Sequence, residues 1–150
     1  AQRFGSWYKE ARSRGLAVAV ELHCGTIFDP VEKGIEFMQS HPELDFSICF
    51  QPYDFSDSGK ALALADKFAG RISHIHLQAP MAVGGYALLE ESPLDYRVLI
   101  PHLQKANPRA SLTLEFVRDC IQPDRPFDLE PVLASASQDA EFVERIVGGM

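Results

Sequence analysis

Arg71-Ile-Ser-His-Ile-His-Leu-Gln78 is the stretch on which the fold turns. Read as a strand over 72–78, it sets Ile72, His74, His76 and Gln78 against Ile75 and Leu77, because side chains alternate along an extended backbone. Three other short runs divide in the same way. In 16–22, Ala17, Ala19 and Glu21 oppose Val18, Val20 and Leu22. In 44–51, Ser47, Cys49 and Gln51 oppose Phe46, Ile48 and Phe50; in 111–116, Ser111, Thr113 and Glu115 oppose Leu112, Leu114 and Phe116. One face is large and apolar, suited to lie under helices. The other is small or polar, with its polar groups gathered at the C-terminal strand ends.

Helical stretches separate these runs. Residues 2–14 read as a helix closing at Gly15, with Trp7 and Tyr8 expected to be buried. A second helix over 29–40 opens with Asp29 as N-cap and Pro30 in its first turn. Others follow over 58–69 and 93–106, where Pro101 predicts a kink or an early break. The tail holds Pro123, Pro126 and Pro131 and reads as an ordered loop closed by a short helix over 138–147. Strands separated by helices are too far apart for hairpins, so they should be parallel and joined by right-handed crossovers.

A doubly wound sheet carries helices on both faces and wants both apolar. A β/α barrel has an interior face that turns polar at its carboxyl mouth, and the TIM-barrel type is therefore predicted. Such a barrel needs eight strands and about 250 residues. Four β/α units amount to half of one, over 1–117, with 118–150 as a C-terminal loop and short helix of the same domain. The strands around Val18 and Leu114 would then be open edges. Either a homodimer or the N-terminal half of a longer chain is expected to cover them, and the opening Ala1, in place of Met, favours the latter.

Composition agrees with one folded domain: 150 residues, 46% hydrophobic and 23% charged. With 14 basic against 21 acidic residues, the net charge of −7 opposes a nucleic-acid surface. No apolar run approaches the roughly 20 residues of a membrane span, and 1–5 lacks the apolar region of a signal peptide. Cys24, Cys49 and Cys120 show no CxxC spacing, which fits reduced thiols in a cytoplasmic protein. Gly84-Gly85 lacks a phosphate-loop pattern, and Glu90-Glu91 reads as a solvated loop face.

Four residues end the strands on the polar face: Glu21, Gln51, His76 and Glu115. Two carboxylates, an amide and an imidazole at one mouth suit a divalent cation. The oxygen-rich mix favours manganese, magnesium or cobalt over a thiolate-type zinc site. His23 shares the parity of Glu21 and projects to the rim. His74 lies one layer deeper, as a structural histidine, and Cys49 reads as an interior filler.

Val20-Glu-Leu-His23 with Gly25-Thr26, Gln51-Pro-Tyr-Asp54, Arg71-Ile-Ser-His-Ile-His-Leu-Gln78 and Leu112-Thr-Leu-Glu-Phe116 together resemble the xylose isomerase-like barrel superfamily. The resemblance covers roughly 5–117 and corresponds to strands five to eight of that fold. It implies metal ligands at Glu21, Gln51, His76 and Glu115 and a substrate contact at His23. It further implies a sugar isomerase or epimerase, of the sugar phosphate isomerase/epimerase kind, acting on a small ketose or polyol ketone. Glu21 and Glu115 would exchange the proton beside the carbonyl, with manganese, magnesium or cobalt, or alternatively zinc, acidifying that carbon. Three departures stand against this. Gln51 replaces the Asp of the family's Asp-Pro-x-His pattern, which weakens the metal site. Asp54 replaces the His of that pattern and becomes the loop carboxylate expected to contact substrate. Gln78 and Ala79 stand where the family has Lys and Asp. The alternatives are a catalytically weakened fragment that binds a ligand or partner, or a dehydratase of the same superfamily; a nuclease ranks last.

Overall fold

A computed structural model describes residues 2–121 and 126–149. Its elements run α1 (Gln2–Ser13), β1 (Ala19–Glu21), α2 (Val31–Ser40), β2 (Ser47–Phe50), α3 (Ser58–Lys67), β3 (Ile72–Leu77), a single 3₁₀ turn (Leu89–Glu91), α4 (Tyr96–Ala106), β4 (Ser111–Leu114) and α5 (Leu129–Gly148). The four strands form one parallel sheet in the order β1-β2-β3-β4. Among the described residues, β1 and β4 are its edges. Among the same residues, no helix is long and apolar enough to cross a membrane.

Local signals explain most boundaries. Gly15, at φ 74°, closes α1 with paired bonds, Leu16 N to Ala11 O at 3.0 Å and Gly15 N to Arg12 O at 3.0 Å, the geometry of a glycine-terminated helix. Asp57, Asp95 and Asp128 cap α3, α4 and α5 through the amides of Lys60, Arg97 and Glu130. Asp29 does not cap α2. Its carboxylate turns back to accept the Gly25 amide at 2.9 Å, and Pro30 takes the cap position.

Two prolines act differently from expectation. α4 continues through Pro101 instead of breaking; its face of Tyr96, Leu99, Ile100 and Leu103 is fully buried, and packing outweighs one lost backbone bond. In the tail, the helix expected over 138–147 starts earlier, as the 20-residue α5, and takes in Pro131. Pro131 falls in its first turn, where a missing amide costs nothing. Pro123 lies outside the described residues.

Helices cover the apolar side of the sheet. Leu22, Phe46, Ile48, Phe50, Ile75 and Leu77 pack into one core with Tyr8, Phe28, Phe68, Leu99, Leu103 and Phe142. Trp7, expected inside, is 70% exposed, because Phe4 and Tyr8 supply the inward face of α1. The opposite sheet face stays open, with Ala17, Ala19, Ser73, Ser111 and Thr113 exposed.

Ile72 corrects the alternation read from sequence. It pairs with Ile48, and His74 with Cys49, so β3 carries one extra residue, Ser73, against β2. The bulge turns Ile72 into the helix-covered core while His74 and His76 keep the open face. The Ile72 amide is satisfied at 3.0 Å by the side-chain oxygen of buried Asn107, whose amide group in turn bonds Leu103 O.

α5 is fastened by Asp139, which is almost fully buried and accepts the buried Leu89 amide at 2.8 Å. Burial pushes its carboxyl above the usual aspartate range, with the Leu89 bond opposing the shift. The folded state therefore holds this proton more tightly than the unfolded chain. That contribution is complete below the ordinary aspartate pKa and is lost as pH rises through the raised one. Asp139→Asn keeps an acceptor for Leu89 but cannot ionise, so its urea midpoint relative to the parent should climb from acid to neutral pH. A pH-independent difference would contradict this. Asp139→Ala, which orphans the amide, should cost about 1–3 kcal/mol at acid pH and less at neutral pH, where the parent has lost the contribution of the retained proton.

Candidate metal and substrate site

Parallel pairing brings the strand ends to one edge of the open face. Glu21 ends β1 opposite Cys49. Glu115 follows β4, its amide donating to Leu77 O at 3.0 Å. Tyr96 from α4 reaches under β3 and donates to the Gln78 carbonyl at 2.5 Å, anchoring the strand where it leaves the sheet.

Three of the predicted ligands meet. Nδ1 of His76 lies 2.8 Å from Glu21 Oε1 and 3.5 Å from Glu115 Oε2. One donor atom from each of the three lies within 4.8 Å of the others. Ligand atoms ~2.1 Å from a common ion stand roughly 3–4 Å apart, so small side-chain rotations let this set hold a metal. Burial raises the Glu115 carboxyl above the ordinary glutamate range; His76 opposes that, the Glu21 charge adds to it, and His23 opposes it weakly. The buried Cys49 thiol alongside is pushed up to about 12 by burial first, then by the charges of Glu21 and Glu115.

Gln51 and His23 belong to the same mouth. With Gln78, Tyr86, Glu115 and Phe116 they line a cleft of about 250 Å³. Gln51 is 7% exposed, and its Oε1 is buried without a hydrogen-bond partner. A carbonyl oxygen left bare there fits a site that expects a cation or a ligand hydroxyl. His23 is exposed, its Nδ1 2.9 Å from Cys24 O.

Asp54 is placed elsewhere. Its carboxylate takes the Ser56 hydroxyl at 2.6 Å, the Ser56 amide at 2.9 Å and Lys60 Nζ at 2.9 Å. Those bonds, the Ser56 hydroxyl foremost, hold it well below the usual range. It faces a separate cavity, with Tyr53, Lys60 and Leu64, because the chain turns into the first turn of α3 at that point. It therefore does not restore the charge that Gln51 lacks.

Two contributors are not evident from sequence pattern alone. Gln78, read as a departure from the family, donates from Nε2 to Glu115 Oε2 at 2.9 Å and fixes that carboxylate. Tyr86 stacks on Phe116, ring centroids 4.8 Å apart, and walls the cleft. Phe116 thus serves the mouth and not the helix-covered face; beyond Leu114 the alternation of β4 no longer applies. The Pro80–Tyr86 bridge that delivers Tyr86 spans a loop with no periodic signal.

Comparison with protein-family models, with curated proteins and with solved structures finds no match for this chain.

Proposed function

We propose that this chain is the strand five-to-eight half of a xylose isomerase-like barrel, and that it carries out proton transfer on a small ketose or polyol ketone. The observation supporting this best is His76 held between Glu21 and Glu115 at aligned strand ends, with Gln51 lining the same cleft as Glu115. A bound manganese, magnesium or cobalt ion would polarise the substrate carbonyl and acidify the neighbouring carbon. Glu115, whose carboxyl is pushed upward, is suited to deliver a proton. Glu21, hydrogen bonded to His76, is the partner that removes one. Gln78 orients Glu115, and His23 at the rim orients a substrate hydroxyl. A second half barrel, from a longer chain or a second copy, would cover β1 and β4; light scattering of the purified chain detects the second copy.

Gln51 supplies the test. An amide oxygen is a poorer ligand for a hard cation than a carboxylate, so Gln51→Asp should tighten manganese binding in titration calorimetry by roughly tenfold or more. Unchanged affinity removes position 51 from the metal. No binding by either protein at millimolar manganese removes the catalytic reading. The same amide favours one second reading, a ligand-binding module that has lost catalysis. That protein would bind ketoses without exchanging their α-protons.

A further inference from the structure

A second, softer donor set lies one layer below the strand ends. Cys49 sits directly across from His74, and His76 stands two residues further along the same face. Cys49 Sγ and one ring nitrogen from each histidine lie within 4.8 Å of one another. The two imidazoles meet edge to face, centroids 5.0 Å apart. His74 Nδ1 is 2.6 Å from Ser111 Oγ, an outer partner of the kind that fixes a ligating ring and leaves Nε2 to bind. A lone filler thiol would need no such company.

We propose that Cys49, His74 and His76 form a site for a thiophilic divalent ion of the zinc type. One thiolate with two imidazoles favours zinc or cadmium, whereas magnesium and manganese prefer oxygen. On binding, the thiol proton passes to solvent and the thiolate becomes the ligand. His76 is common to this set and to the carboxylate set. A neutral imidazole has one free lone pair while its other nitrogen carries the proton, so His76 serves one ion at a time. A thiophilic ion therefore takes His76 from Glu21 and Glu115 and antagonises manganese. That antagonism rests on the metal site proposed above; the soft site does not.

Cadmium(II) is the probe, titrated into protein carrying Cys24→Ser and Cys120→Ser, which leaves Cys49 as the remaining thiol. A thiolate-to-cadmium charge-transfer absorption should rise and saturate at a single equivalent. Cys49→Ser should remove it. His74→Ala should weaken cadmium binding by more than the roughly 10–100-fold that loss of an outer partner costs, while Glu115→Gln does not weaken it. Circular dichroism of each variant checks the fold. Absence of the band, or a band indifferent to His74, overturns the proposal. A band without manganese binding upholds the soft site and defeats the catalytic reading; manganese binding without a band does the reverse.

Discussion

Glu115→Gln should slow exchange of a ketose α-proton with solvent deuterium by roughly 10²–10⁴-fold, the share that a positioned acid or base contributes. The substitution keeps the shape of the side chain and leaves an oxygen to accept from Gln78 Nε2, which now bonds Glu115 at 2.9 Å. It removes the proton that burial and the Glu21 charge help retain. Proton NMR over a panel of ketoses and inososes reads the exchange, and circular dichroism shows whether the sheet is intact. Exchange at the parent rate would take Glu115 out of the chemistry. Tyr86, from a loop outside the sheet, walls the cleft, and no sugar follows from that wall alone, so the panel must be broad.

The largest effect on stability is expected at Phe28. Its ring is fully buried, edge to face with Phe68 at 5.6 Å and with Phe46 at 6.4 Å. Phe28→Ala should cost about 3–5 kcal/mol. Gly34 is the other half of this contact. It sits inside α2, where glycine is a poor helix former, yet a Cβ there would lie 1.9 Å from Phe28 Cδ1. Gly34→Ala alone should therefore destabilise by about 1–3 kcal/mol through overpacking. With Phe28→Ala the ring is gone, and the same change should stabilise by up to about 1 kcal/mol, the helix preference of alanine. Urea denaturation of the two single variants and the double variant gives the coupling. Additive costs would mean that the ring and the helix do not meet.

Alternation made the parallel sheet and its two unlike faces legible, because each strand shows a period of two over a covered face. Glu21, His76 and Glu115 were legible for the same reason: a carboxylate or imidazole after Ala-Val, His-Ile or Leu-Thr-Leu has to face something polar. What alternation could not convey was a change of count. Ser73 looks like any strand serine, and only pairing with β2 reveals it as the extra residue that moves Ile72 to the core. Asp54 misled because its sequence distance from Gln51 says nothing about the tight turn into α3, where Ser56 and Lys60 claim it. Tyr86 comes from a loop whose position depends on its contacts with Pro80 and Phe116. Pro131 was read as a breaker because proline's effect depends on its position in a helix, which composition does not reveal.

The bulge at Ser73 splits β3 into two reading frames. Upstream, Ile72 keeps step with Ile48 in the core; downstream, His74 keeps step with Cys49 on the open face. Ser73 is thus the residue that the strand can spare. Deleting it sets Ile72, still facing the core, directly before His74, still on the open face, so ordinary alternation returns and the donor set keeps its place. An extra residue between His74 and His76 would instead send those two imidazoles to opposite faces, so the donor set tolerates a change of count at 73 and not beyond it.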